Sequence, residues 1–138
     1  MGLVGLMCLM RPVEVSAVSF PAPAGFVNDF AGVLSSPQRE ALESKLAAYE
    51  KETGNEIAIA LVKSLNEEPV EDAAVNLFAQ WKIGKKGKDT GVLILAAIED
   101  RKVRLEVGYG LEPKLTDARA GEIIRNEIAP AFKQGKYS

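Results

Sequence analysis

The stretch GVLILAAIEDRKVRLEVG, residues 91–108, says most about the fold. Its first half is an unbroken apolar run, which is typical of a strand that is buried on both faces. Its second half alternates three apolar residues with Arg104 and Glu106, which is typical of a strand with one solvated face. A tight turn at residues 99–102 joins the halves. The pattern therefore predicts an antiparallel hairpin whose second strand lies at an edge of the sheet.

Upstream of this hairpin, the sequence predicts a helix followed by another strand. Ser35 and Gln38 have the spacing of a capping box, and Gly54 is suited to end the helix in the left-handed conformation. EIAIALV, residues 56–62, is short, branched and apolar, and it predicts a second buried strand.

Two more helices flank the hairpin. Pro69 predicts the start of one, and Gly84 is predicted to end it. Thr116 is suited to cap the other, with Asp117 in its first turn, where the helix dipole favours negative charge. Pro130 is predicted to break or kink that helix.

The resulting order is α-β-α-β-β-α, which predicts an α/β fold around a small mixed sheet. The first two strands are joined through a helix and are therefore expected to be parallel. Helices are expected to cover at least one face of the sheet.

The N-terminal region differs in composition from the rest. Residues 1–17 combine an apolar run with a small-residue site at Val15 to Ala17, which resembles a signal peptide and predicts export to the periplasm or the extracytoplasmic face of the membrane. Residues 18–25 are interpreted as an extended leader, and residues 26–138 as the domain. Cleavage after Ala17 would remove Cys8, the only cysteine of the chain.

Composition excludes several classes of function. The chain has 138 residues and a net charge of −2, which provides no field for gathering nucleic acid. It has no histidine, which excludes Ser-His-Asp and Cys-His catalysis and the usual nitrogen ligand of zinc. A metal would have to be held by oxygen atoms, which points to Ca²⁺ or Mg²⁺.

The hairpin direction predicts which acidic residues can meet. Asp89 precedes the outgoing strand, and the returning strand brings Gly110, Glu112 and Asp117 back to the same end. Asp100 is expected at the opposite end, and the position of Asp29 stays open. Two interpretations remain for the Asp89 end: a cation or anion site, or glycines and charges that only end strands and helices.

The ligand residues expected at the Asp89 end belong to the entry loop and to the start of the last helix. Lys86 and Lys88 could contact a phosphate, and Gly110 and Thr116 lie where a ligand would approach the backbone. Three familiar motifs fail in this region, because GKKGKDT follows a helix, GYGLEP lacks a third glycine and DTG occurs once.

Four segments together resemble the TPM domain family: VNDFAGVLS, TGNEIAIALV, the long stretch LFAQWKIGKKGKDTGVLILAAIEDRKVRLEVGYGLEPKLTD, and AGEIIRNEIAPAFKQGKY. They occur in the family's order and cover residues 26–137. The resemblance implies a three-layer α/β/α sandwich. It also implies a bacterial protein that is exported or membrane-tethered.

The function that this resemblance implies has two forms. Relatives are associated with the repair of membrane protein complexes, an acid phosphatase activity has been attributed to one of them, and some bind divalent cations. One hypothesis is therefore a cation-binding module that assists the assembly or quality control of envelope or membrane proteins. The other is a weak cation-dependent phosphomonoesterase with Asp89 and Asp117 as its catalytic residues. The acidic residues in the shared motifs are Asp29, Asp89, Asp100 and Asp117, and with Glu112 they are the candidate metal ligands.

Overall fold

The structure, a computed structural model, describes residues 20–84 and 89–138. It contains a four-stranded mixed sheet with the strand order β1-β2-β3-β4. The first three strands are mutually parallel and the last is antiparallel to its neighbour. The end of the sheet at which β1, β2 and β3 begin is called the amino edge, and the other end is called the carboxyl edge. The strands are β1 Val27–Asp29, β2 Glu56–Val62, β3 Gly91–Ala97 and β4 Lys102–Val107.

Helices pack on the sheet, so the fold is the expected α/β sandwich of three layers. Helix α1 contacts β1 and β2, helix α2 contacts β3 and β4, and the C-terminal helical segment contacts β4. Within the part of the chain that the structure describes, no helix has both the length and the apolarity needed to cross a bilayer. The helices are α1 Ser36–Thr53, α2 Val70–Trp81, a 3₁₀ turn Tyr109–Leu111, and a C-terminal segment made of α3 Asp117–Ile123, a π turn Ile124–Ile128 and α4 Ala129–Lys133.

The strands and helix caps that local sequence patterns predicted are confirmed. β2 has the predicted bounds, and the β3–β4 hairpin has β4 at the edge of the sheet. The Ser35 hydroxyl accepts from the Gln38 backbone N–H, and the Gln38 side chain accepts from the Ser35 N–H, which completes the capping box. Gly54 ends α1 with φ of 78°.

Strand β1 was not predicted from the sequence. It has three residues between proline- and glycine-containing segments, and its pairing with β2 is non-local. Two side chains hold it in place. The Glu43 carboxylate of α1 accepts the N–H groups of Phe26 at 2.8 Å and Val27 at 2.7 Å. Asn28, which is 3% exposed, accepts from the Ala24 N–H and donates to the carbonyl of Ile59.

Helix α2 ends earlier than predicted. It stops at Trp81, and Lys82 takes the left-handed conformation with φ of 51°, so Gly84 is not its end signal. Gly84 also has a positive φ, of 93°, but its role is different. A Cβ built on it would lie 2.7 Å from the backbone nitrogen of Gly91, so the two glycines let the α2–β3 connection pass close to the first residue of β3.

Pro130 does not break the last helix. Residues Ile124–Ile128 form a π turn, and α4 then begins at Ala129 with Pro130 in its first turn. A wider turn just before a proline relieves the ring's clash with the preceding carbonyls, and the missing proline N–H is tolerated in a first turn. The segment therefore continues back along the sheet.

The main core lies between α2 and one face of β2 and β3. Leu77, Leu93 and Leu95 are fully buried there. Phe20 belongs to the same cluster, and the Trp81 indole N–H donates to the carbonyl of Pro21 at 3.0 Å. The described part of the segment interpreted as a leader, residues 20–25, therefore has no helix or strand, but it packs on the domain.

The face of β4 that was expected to be solvated is partly covered. Arg104 lies opposite Leu95 and Glu106 opposite Leu93, on the face that α2 occupies. The two charged side chains are 35% and 22% exposed, and they pair with each other at 3.4 Å. Residues 1–17, interpreted as a signal peptide, and the candidate ligands Lys86 and Lys88 lie outside the described residues.

Candidate functional site

The backbone brings Asp89 and Gly110 together at the amino edge. Val107 at the end of β4 pairs with Val92 near the start of β3. Beyond this pair, the Gly108 N–H donates to the Gly91 carbonyl at 2.8 Å, and the Gly110 N–H donates to the Asp89 carbonyl at 3.0 Å. The returning strand therefore reaches the Asp89 end of the sheet, as the hairpin pattern predicted.

Glu112 and Asp117 follow Gly110 along the chain. The 3₁₀ turn ends at the buried Leu111, and Glu112 is the next residue. Asp117 is the first residue of α3, and the segment that it begins reaches the β3–β4 turn with Phe132 at its other end. That Asp117 lies toward the amino edge stays a prediction.

The conformation of Asp89 is unusual for a residue with a side chain. Its φ of 52° falls in the left-handed region, which aspartate tolerates better than most residues. Gly108 allows the close approach of the two segments, because a Cβ there would collide with the Asp89 carbonyl oxygen. The chain thus holds Asp89 in a costly conformation, as is common at functional sites.

The side chains of Asp89, Glu112 and Asp117 are exposed. Among the described residues, none forms an ion pair or side-chain hydrogen bond with Asp89, Glu112 or Asp117. The described ranges also contain no cluster of three or more Asp, Glu, Cys or His side chains that could hold a metal ion. The donors present therefore fit at most a site with two carboxylates, with backbone carbonyls or water supplying the remaining oxygens.

Gly110 and Thr116 have roles in the local structure. The Gly110 N–H is occupied by the Asp89 carbonyl. The Thr116 hydroxyl accepts the Arg119 backbone N–H at 3.2 Å and caps α3. Their role toward a ligand stays a prediction.

Asp29 lies toward the carboxyl edge, where its carboxylate organises a loop. One oxygen accepts the N–H of Gly32 at 2.8 Å and of Val33 at 3.2 Å, and the other accepts the N–H of Leu34 at 2.8 Å. These donors belong to the turn that connects β1 to α1. A metal ion would have to compete with them.

Asp100 also lies at the carboxyl edge, in the β3–β4 turn. One oxygen accepts the Ser64 hydroxyl at 2.9 Å, and the other accepts the Leu65 N–H at 2.8 Å. Asp100 therefore ties the hairpin turn to the loop between β2 and α2. It lies at the opposite end of β3 from Asp89, as the sequence predicted.

We expect Asp100→Ala to lower the free energy of unfolding by about 2 kcal/mol, because it removes two hydrogen bonds to a carboxylate. Urea denaturation measures this change. Glu99→Ala truncates the exposed neighbouring acid and should stay within about 0.5 kcal/mol of the unmodified chain. Equal losses in both variants would contradict the tying role of Asp100.

Two features of the molecule were not predicted from the sequence. Tyr109, between the glycines at the amino edge, is 78% exposed, and its position in GYG was a visible signal. The other is a cavity at the carboxyl edge between the β3–β4 turn and the C-terminal segment. Only the DRK run in the turn marked it, because its other wall comes from residues about thirty positions further along the chain.

Comparison with known proteins gives a family and several solved structures. The family model of the TPM domain matches residues 27–138. No curated protein matches the chain.

Similar structures come from three bacteria. The N-terminal domain of a protein from P. gingivalis, solved by NMR in solution, is 35% identical with a TM-score of 0.75, over 81% of this chain and 71% of that one. The BA42 protein of the psychrophilic Bizionia argentinensis is 29% identical with a TM-score of 0.64, over 75% of this chain and 70% of that one. The N-terminal domain of cg2496 from Corynebacterium glutamicum is 18% identical with a TM-score of 0.64, over 91% and 78%, and this likeness concerns the fold alone.

Proposed function

Because the chain belongs to the TPM domain family, we propose that it is an extracytoplasmic module that binds a divalent cation and assists the assembly or quality control of envelope or membrane proteins. The observation that carries the cation proposal is the amino edge. There the Gly110 N–H holds the Asp89 carbonyl, and the nearby carboxylates are free of partners among the described residues.

The chemistry of the donors selects the cation. Carboxylate, carbonyl and water oxygens are the ligands of Ca²⁺ and Mg²⁺, and Ca²⁺ accepts six to eight of them in flexible geometry. Asp89 and Asp117 are the proposed protein ligands, and backbone carbonyls or water would supply the remaining oxygens. A site with so few charged ligands is expected to be weak, with a Kd of about 10⁻⁴–10⁻³ M, as in extracellular calcium modules.

The localisation is part of the proposal. The signal-like segment at residues 1–17 supports export, and a weak calcium site suits an extracytoplasmic compartment. A module of this kind would act by binding other proteins while the cation orders its amino edge.

We expect Ca²⁺ at ten times its Kd to stabilise the protein by about 1.4 kcal/mol, which raises Tm by about 4 °C. Asp89→Asn and Asp117→Asn should each remove most of this shift, because each loses a charged ligand. Thermal melts with and without Ca²⁺ or Mg²⁺ provide the measurement.

Asp72→Asn is the matched control, since Asp72 is an exposed aspartate in the first turn of α2 and should keep the full shift. A calcium shift that persists in both Asp89→Asn and Asp117→Asn would refute the amino-edge site. A shift lost only in Asp29 or Asp100 variants would move the site to the carboxyl edge.

A weak cation-dependent phosphomonoesterase is the second candidate. Among the described residues, no ion pair engages Asp89 or Asp117, which leaves both carboxylates available to a cation. A cation that they hold could polarise a phosphoryl oxygen. Turnover of 4-nitrophenyl phosphate with and without Mg²⁺ distinguishes the two functions. Cation-dependent turnover that is lost in both Asn variants would establish the enzyme, whereas turnover that survives both would come from another site or a contaminant.

A further inference from the structure

We infer that a cavity at the carboxyl edge, the hairpin cavity, binds a soluble single-chain amphiphile with an anionic head group. The cavity has a volume of about 680 Å³ and lies between the β3–β4 turn and the C-terminal helical segment. It is separate from the amino edge, so the inference does not depend on the proposed cation site. Its size falls within the range of pockets that hold small organic ligands.

The walls of the hairpin cavity are apolar and come from two distant parts of the chain. Val103 lies on β4, and Phe132 and Tyr137 come from the C-terminal segment. All three are half-buried, and the two aromatic rings meet edge to face with centroids 4.8 Å apart. Such walls favour an alkyl or aryl body, because enclosing it removes apolar surface from water.

The rim of the hairpin cavity is basic. Arg101 and Lys102 come from the hairpin, and Lys133 comes from α4. All three side chains are exposed, and no ion pair with a described residue engages any of them. Glu99 is the one acidic lining residue, so the rim carries a net positive charge in a chain whose net charge is −2. An anionic head at the rim would make charge-assisted hydrogen bonds.

The hairpin side of the cavity is organised before any ligand arrives. The Ile98 N–H donates to the Val62 carbonyl and the Glu99 N–H to the Lys63 carbonyl, each at 2.9 Å. Asp100 adds its two bonds to the neighbouring loop, and Arg101 is held with φ of 56°. A preorganised rim lowers the ordering cost of binding.

These features select a single amphiphile over a bilayer. A flat anionic membrane is attracted by a broad basic surface, and the chain as a whole is acidic. A concave apolar site with three cations at its mouth instead matches one chain and one charged head.

The test is an amide NMR titration of the full chain with octanoate and octyl phosphate, and with octanol as the uncharged control. We expect both anions to shift the resonances of residues 98–103 and 129–137, and to bind about tenfold more tightly than octanol. Octanol binding as tightly as octanoate, or shifts centred on Asp89 and Gly110, would overturn the proposal.

Variants separate the rim from general charge effects. Arg101→Gln and Lys133→Gln should each weaken octanoate binding several-fold and leave octanol binding unchanged. Lys45→Gln makes the same charge change on the exposed face of α1 and should have no effect. Equal weakening by all three variants would refute recognition at the rim. Binding to anionic lipid vesicles without octanoate binding, or dimerisation that octanoate does not reverse, would assign the cavity to a membrane or to a second copy and overturn the proposal.

Discussion

Gly91→Ala is expected to lower the free energy of unfolding by about 3 kcal/mol. A Cβ on Gly91 would lie 2.7 Å from the Gly84 nitrogen and 2.8 Å from the Ile83 carbonyl carbon. All of these atoms belong to the backbone, so the clash cannot be relieved by the rotation of a side chain. Relief of the clash requires β3 or the α2–β3 connection to shift, and β3 is an inner strand paired on both sides.

The same substitution should also disturb the amino edge. The Gly91 carbonyl accepts from Gly108, next to the contact between Gly110 and Asp89. Urea denaturation measures the loss of stability, and amide NMR spectra report the displacement of Gly108 and Gly110. Gly121→Ala is the matched control, since a Cβ there meets only the end of the Arg125 side chain and alanine is favoured within a helix. A similar loss in both variants would contradict the close-approach role of Gly91.

Leu77→Ala is expected to cost between about 2 and 5 kcal/mol, because it leaves a cavity in a fully buried part of the core. Leu77 lies on the inner face of α2 in the cluster that includes Leu93 and Leu95. The backbone of β2 and β3 beneath it is fixed by sheet pairing on both sides, which limits collapse into the space.

Val75→Ala removes apolar atoms from the other side of the same helix and serves as the control. Val75 is exposed, and alanine has the higher helix propensity, so stability should stay the same or rise slightly. Guanidinium denaturation of both variants gives the comparison. A small effect of Leu77→Ala, under about 1 kcal/mol, would mean that α2 does not form the main core.

Elements with local signals could be predicted from the sequence, and those that depend on distant partners could not. The Ser35–Gln38 capping box, the Gly54 cap and the alternation along β4 are each encoded within a few residues. Strand β1 was not predicted because three residues are too few to show the alternation of a strand. Its stability comes from hydrogen bonds to Glu43 and from pairing with β2. The end of α2 was misplaced because Lys82 supplies the left-handed turn that glycine usually supplies.

The part of the candidate site that follows from the direction of the strands could be predicted from the sequence. The hairpin brings Gly110 to Asp89 because an antiparallel strand must return to its starting edge. The hydrogen bonds of the Asp29 and Asp100 carboxylates to nearby loops depend on loop geometry and could not be predicted. The position of Asp29, three residues before Gly32, was nevertheless a recognisable turn signal. The hairpin cavity could not be foreseen, because the π turn that lets the last segment continue past Pro130 has no simple sequence pattern.

The Glu43 carboxylate has a consequence for aggregation. It holds the start of β1 on the domain, and β1 pairs with residues 59–61 on the outer edge of β2. If this short strand detached, the backbone groups of Ile59, Ala60 and Leu61 on that edge of the apolar strand β2 would lose their partners, which would make a template for strand exchange between molecules. The acidic side chain of Glu43, together with Asn28, thus helps to protect the protein against self-association through its sheet.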